Sequence, residues 1–161
     1  MAALRNARFE LHAGEVHALI GENGAGKSTL AKIVAGSVRA DCADISIDGQ
    51  PVAIRSPQDA QRLGIGIIYQ ELDLFRHLTV GENIVIGNLR FHERAIVSLR
   101  AMETFCRPFL DRVGLASSVR QMAGSLPIGK LQLLAIARAL SMRARIIVMD
   151  EPTSSLFDDA V

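Results

Sequence analysis

Gly21-Glu22-Asn23-Gly24-Ala25-Gly26-Lys27-Ser28-Thr29 crowds three glycines, a lysine and two hydroxyls into nine residues. Glycines take backbone conformations closed to other residues, so consecutive amide N–H groups can turn inward on one anion. Residues 15–20 just before it run apolar, as a strand does. Leu30, Ile33 and Val34 after it recur at helical spacing until Gly36, which is placed to end the helix in a left-handed cap. Strand, glycine loop and helix in that order make a phosphate-gripping loop, or P-loop, to which the helix adds its positive N-terminus. Residues Gly21, Glu22, Asn23, Gly24, Ala25, Gly26, Lys27, Ser28 and Thr29 are then the nucleotide-binding candidates. Lys27 reaches the β and γ phosphates, and Ser28 puts its hydroxyl on a Mg²⁺ that bridges the same oxygens.

Outward from the loop, residues 8–11 and 15–20 read as two short strands around the turn His12-Ala13-Gly14. Residues 45–47 and 52–54 flank Asp48-Gly49-Gln50, an antiparallel hairpin whose Asp-Gly tolerates positive φ. Ser56-Pro57 opens a helix that Gly64 closes, and residues 65–69 form a short apolar run suited to a buried parallel strand, with Gln70 at its carboxyl end. The middle of the chain turns helical. Thr79 with Glu82 is a capping-box pattern, and Leu99, Met102, Cys106, Phe109 and Val113 trace one helical face that Pro108 is expected to kink or split. Residues 131–140 are helical again, and Ile146-Ile147-Val148-Met149 is a buried strand running into Asp150-Glu151. Sheet, helical insertion and sheet follow one another, an α/β arrangement that binds ligands at the carboxyl ends of its parallel strands.

Composition narrows the possibilities. A chain of 161 residues has the length of one domain, and 49% hydrophobic content suffices for a buried core. The 18 basic and 17 acidic side chains leave a net charge of +1, so no long-range field gathers a polyanion and nucleic acid is not an expected partner. Arg5, Arg8 and Glu10 break up the first ten residues, which excludes a signal peptide there and points to the cytosol. No apolar run approaches the roughly 20 residues of a spanning helix. Cys42 and Cys106 lie far apart, fit no metal spacing, and read as small buried apolar groups.

Asp150, ending an apolar strand downstream of a P-loop, suits a carboxylate that holds Mg²⁺ through water. With Asp150 committed to the metal, Glu151 is the candidate to orient and polarise an attacking water, since no other carboxylate is placed by sequence beside the γ-phosphate.

The run from Ile146 to Leu156, IIVMDEPTSSL, with the P-loop and the strand ending at Gln70, resembles the ATP-binding cassette family over nearly the whole chain. GENGAGKST, GIGIIYQELDLFRHLTVGENIVIG and MDEPTSSL are similar in wording to the first cassette of importers for monosaccharides of the ribose, xylose or galactose type. The resemblance implies a P-loop NTPase (RecA-like) core with a mostly parallel sheet, a small antiparallel β subdomain and a helical insertion. On that scheme residues 1–75 carry the core and β subdomain, 76–125 the helical subdomain, and 126–161 the signature helix and the return to the core. ATP and Mg²⁺ are the implied ligands. Glu151 corresponds to the catalytic glutamate, and Gln70 to the glutamine that senses Mg²⁺ and the γ-phosphate. Residues 154–158 match the loop that communicates across a dimer, and residues 71–78 match the stretch facing a permease. Implied partners are transmembrane permease subunits, a second cassette and, indirectly, a periplasmic sugar-binding protein. The implied place is peripheral, on the cytoplasmic face of the inner membrane.

Some expected features are altered. Leu126-Pro127-Ile128-Gly129-Lys130 stands where the family has Leu-Ser-x-Gly-Gln, the signature that contacts ATP held by the partner cassette. Pro127 fits the first turn of a helix but offers neither hydroxyl nor amide proton, so a weakened half-site is expected, to which Lys130 adds a positive charge. The adenine-stacking aromatic would precede Arg8, yet residues 1–7 hold none, and Phe9 falls where the family has a core strand residue. The switch histidine would follow residues 155–158, and none of His12, His17, His77 or His92 can take its role. These departures imply an incomplete nucleotide-binding domain. They leave open two functions: an ATP-hydrolysing importer subunit, or a module that binds ATP with little or no turnover. A soluble cassette of DNA repair or translation is disfavoured by the compact helical insertion, the missing heptad run and the near-neutral charge.

Overall fold

The computed structural model describes residues 4–69, 73–86, 88 and 98–150. They belong to two compact units that divide between Arg62 and Leu63. The first holds helix α1 (Lys27–Val34), strands β1 (Ile45–Ile47) and β2 (Gln50–Val52), and helix α2 (Pro57–Arg62). The second holds β3 (Ile65–Ile68), α3 (Val80–Val85), α4 (Leu99–Arg112), a 3₁₀ turn (Ala123–Ser125), α5 (Ile128–Ser141) and β4 (Ile146–Met149).

Helix α1 ends as its sequence dictates. Gly36 sits at φ 71°, the amide of Ser37 donates to Lys32 O at 2.9 Å, and the amide of Gly36 donates to Ile33 O at 3.0 Å. This is a Schellman cap, which satisfies carbonyls that the last helical turn would otherwise leave open. A Cβ on Gly36 would fall inside contact distance of the Ser56 carbonyl and 3.0 Å from Ile54 Cγ2. Gly36→Ala therefore meets both a forbidden φ and a backbone wall, and is expected to lower stability by at least about 2 kcal/mol in chemical denaturation. A change within about 0.5 kcal/mol would contradict that packing.

The β1–β2 hairpin is antiparallel, with Ile47 opposite Gln50 and Ile45 opposite Val52. Asp48 (φ 53°) and Gly49 (φ 74°) alone form its turn, with the paired positive φ angles that match strand twist. The second strand accordingly starts at Gln50 rather than at residue 52. The expected strands at 8–11 and 15–20 do not form. That stretch holds a turn at His12 to Glu15, closed by a 3.1 Å bond from Glu15 N to His12 O, and leaves Val16 97% and Ile20 95% exposed. An apolar run specifies a buried face, but a strand also needs a hydrogen-bonding neighbour, which the run does not specify.

In the second unit β3 and β4 pair in parallel, Ile65 with Ile146 through Ile68 with Met149. Both are expected as buried strands; β3 is buried at Ile65 and Ile68, but β4 is half-buried with Met149 exposed, because these two strands form a two-stranded sheet among the described residues. The ladder continues where Asp150 N donates to Ile68 O at 3.0 Å. Helices α3, α4 and α5 close around a core that includes Val80, Ile84, Leu110, Leu131 and Leu134, each no more than 2% exposed. Burial of side chains this size stabilises by roughly 1.5–3 kcal/mol apiece. Gly81 lets α3 approach α4 closely, since a Cβ there would meet Met102 and Val119.

The capping box forms: Thr79 N donates to Glu82 Oε2 at 2.7 Å, and Glu82 N donates to Thr79 Oγ1 at 3.2 Å. The bond from the Thr79 amide, then that from its hydroxyl, holds the Glu82 carboxyl below the usual carboxylate range. Because its folded-state value is depressed, its contribution is present at neutral pH and fades as acid carries the pH down through that value.

Pro108 neither splits α4 nor ends it; the helix runs unbroken to Arg112. Pro108 and Thr104 both lie on the exposed face, where water can serve the carbonyl that the missing N–H leaves open. Cys106 is buried as expected, and desolvation pushes its thiol up to about 12, which keeps it protonated and inert. Cys42, in contrast, is exposed, because it sits in a turn rather than in a periodic segment. Among the described residues no helix is long and apolar enough to cross a membrane.

Candidate nucleotide site

The glycine loop adopts the conformation its composition allows. Gly24 has φ 85° and Gly26 φ 91°, and between them Ala25 N donates back to Glu22 O at 3.1 Å. Gly26 is the N-cap of α1 and carries no side chain to close the helix end. The first turn of α1, with Lys27, Ser28 and Thr29, thus begins where the loop turns, and the partial positive charge of the helix terminus is directed into it. Lys27 Nζ donates to Gly21 O at 2.7 Å and to Glu22 O at 3.0 Å, so the ammonium is held over the loop by the carbonyls of its own rim. The nine candidates from Gly21 to Thr29 thus run through the bend at residues 23–26 into the first turn of α1.

The second group of candidates sits at the carboxyl end of the β3–β4 ladder. The register of Ile68 with Met149 brings Tyr69, the last described residue before Gln70, and Asp150 to the same end of the two strands. Gln70 and Glu151 themselves, and residues 154–158, lie outside the described residues. The glycine loop belongs to the first compact unit and Asp150 to the second.

The signature segment leads into α5. Leu126 is buried, Ile128 and Gly129 are half-buried, and Pro127 and Lys130 are exposed. Pro127 is the N-cap, one position before the first helical turn where its ring was expected. Its φ of −63° and ψ of 157° are the extended geometry of a cap, and its carbonyl accepts from Lys130 N at 2.9 Å and Leu131 N at 3.1 Å. A serine in that place would cap the helix with its side chain, whereas proline makes no side-chain cap bond.

The sequence motifs pass over two polar residues, Asn83 in α3 and Arg138 near the end of α5. Asn83 is fully buried in α3, and among the described residues its side chain bonds to backbone, including both the amide and the carbonyl of Phe75. Its signal was an amide in an otherwise apolar helical stretch, which must find partners if buried.

Comparison with known proteins agrees with this geometry. The sequence profile of the ABC transporter family matches residues 4–154. The ribose import ATP-binding protein of Rubrobacter xylanophilus is 47% identical over 163 residues, an alignment covering all of this chain and 32% of that protein. That of Rhodococcus jostii is 44% identical over 161 residues, again all of this chain and 32% of the relative. The chain thus spans about a third of the length of the curated relatives it matches. Among solved structures, a bacterial ABC transporter cassette captured as a dimer superposes with a TM-score of 0.76 at 27% identity, over 98% of this chain and 69% of that one. A dimeric post-hydrolysis cassette bound to ADP and Pi superposes at 0.75 with 26% identity, over 95% and 67%. With a left-handed glycine loop feeding α1, a parallel strand pair ending at Asp150, and sequence likeness along nearly its whole length, the chain belongs to the ABC transporter family.

Proposed function

We propose that this chain is the nucleotide-binding part of the ATP-hydrolysing subunit of an importer, and that its cargo is a monosaccharide. The observation that carries the reading is the Gly21–Ser28 turn, with two glycines in left-handed geometry over the uncapped start of an eight-residue helix. ATP is the substrate. Lys27 exchanges the rim carbonyls of Gly21 and Glu22 for the β and γ phosphate oxygens, a charge-assisted replacement of the bonds it makes now. Ser28, Gln70 and Asp150 offer a hydroxyl, an amide carbonyl and a carboxylate, the hard oxygen donors that Mg²⁺ takes. Bound among them, Mg²⁺ would neutralise charge developing on the transferred phosphoryl group. Glu151 orients the attacking water, and Gln70 senses the γ-phosphate. The names of the ribose import relatives support a sugar as cargo. In this reading the chain works with transmembrane permease subunits and a second cassette at the cytoplasmic face of the membrane, with a periplasmic sugar-binding protein delivering the cargo. Residues 1–75 and 126–161 supply the catalytic core, and 76–125 the helical subdomain.

The assay is MgATP hydrolysis by the full-length protein with its permease. Turnover that rises when sugar-loaded receptor is added supports the reading, and the absence of ATP binding overturns it. A second reading, nucleotide binding with little turnover, is favoured by one observation, the proline N-cap of α5. Pro127→Ser separates the two. It supplies both a helix cap worth about 1 kcal/mol and a hydroxyl for the partner's nucleotide, so turnover should rise severalfold along with stability. A variant that is stabilised yet no faster would show that the signature is not what limits hydrolysis.

A further inference from the structure

Arg138 lies in the last third of α5, flanked by Ala137 and Ala139, and its side chain leaves the helix toward the segment that follows Gln70. Its Nη1 donates to the carbonyl of Asp73, and its guanidinium lies 5.9 Å from the centroid of the Phe75 ring. The backbone of Phe75 is held as well. Asn83 Oδ1 accepts from its amide at 2.9 Å, and Asn83 Nδ2 donates to its carbonyl at 3.0 Å. The segment is also laced to the chain leading into α5, through Gly124 N to Arg76 O and Ala123 N to Leu78 O, both 2.9 Å. These neutral bonds tie backbone to backbone. Arg138 alone among these contacts brings a charged fork, and it acts on two residues at once.

The Arg138 Nε is buried with no hydrogen-bond partner among the described residues. A buried donor left over is unfavourable, so the fork has more capacity than this arrangement uses. Resting on the proposed ATPase reading, we propose that Arg138 is a positioning residue that locks residues 73–75, the stretch through which the chain leaves Gln70, to the helix headed by the signature segment. Asp73 follows Gln70 by three positions of sequence, so the proposed lock acts within a short tether of the glutamine. A lysine could keep the bond to Asp73, but as a point charge it lacks the broad guanidinium that lies over the Phe75 ring.

The test compares Arg138→Met and Arg138→Lys with the unsubstituted full-length protein by hydrogen exchange and steady-state MgATP hydrolysis. In Arg138→Met, the amides of Phe75 and Leu78 should exchange about tenfold faster while those of α4 keep their protection. In the same variant kcat should fall about tenfold with KM for MgATP within about twofold, and Arg138→Lys should recover part of kcat. Unchanged exchange at Phe75 overturns the lock, and so does a uniform rise across α3, α4 and α5, which would make Arg138 merely a support of the fold. Faster exchange at Phe75 with unaltered kcat overturns the positioning role. If the unsubstituted protein hydrolyses no ATP, the proposed function fails by itself, and the exchange comparison still decides whether Arg138 holds residues 73–75.

Discussion

Replacing Lys27 by alanine should weaken ATP binding by at least about 100-fold, because two charge-assisted bonds to phosphate oxygens, at about 1.5–3 kcal/mol each, are lost together. The fold should be little affected. Among the described residues Lys27 Nζ bonds to the carbonyls of Gly21 and Glu22 in an exposed loop, and neither oxygen is buried without access to water once the ammonium is removed. Titration of the full-length protein with a fluorescent ATP analogue reads the effect directly. Affinity within a few-fold of the parent would mean that the glycine turn is not the phosphate site.

Glu151→Gln should separate binding from chemistry. The amide keeps the size of the carboxylate but cannot accept a proton from water, and general-base contributions of about 10²–10⁴ in rate are lost when that capacity goes. Nucleotide affinity should stay close to the parent value, since Glu151 is assigned to the water and not to the phosphates. Single-turnover hydrolysis in the variant, followed by phosphate release, checks both halves. Turnover at a tenth or more of the parent rate would place the base elsewhere.

How much of this was legible in the sequence follows from the range of each signal. The Asp48-Gly49 turn, the Thr79/Glu82 capping box and the Gly36 cap are written within a few residues, because each device satisfies backbone groups of its own segment. The glycine loop is of the same kind, and it turns where Gly24 and Gly26 allow positive φ. Residues 8–11 and 15–20 failed for the opposite reason. Their apolar character was read correctly, but pairing is a property of two segments and only one was in view. Pro108 leaves α4 unsplit because of the exposed face it occupies, which one residue does not announce. Pro127 was read as helical and instead caps, a shift of one position that changes which groups it can offer. Asn83 and Arg138 carried no motif at all. Their importance lies in bonds to Phe75 and Asp73, and in Arg138 these span 65 positions of sequence. The roles of Gln70 and Glu151 remain those that the family resemblance implies.

The most direct test is a structure of the full-length protein with Mg²⁺ and a non-hydrolysable ATP analogue. The account predicts the triphosphate inside the amides of residues 21–28 and a single Mg²⁺ about 2.1 Å from Ser28 Oγ, with Asp150 in its shell through water. A triphosphate seated elsewhere, or Ser28 and Asp150 too far apart to share that ion, would contradict it.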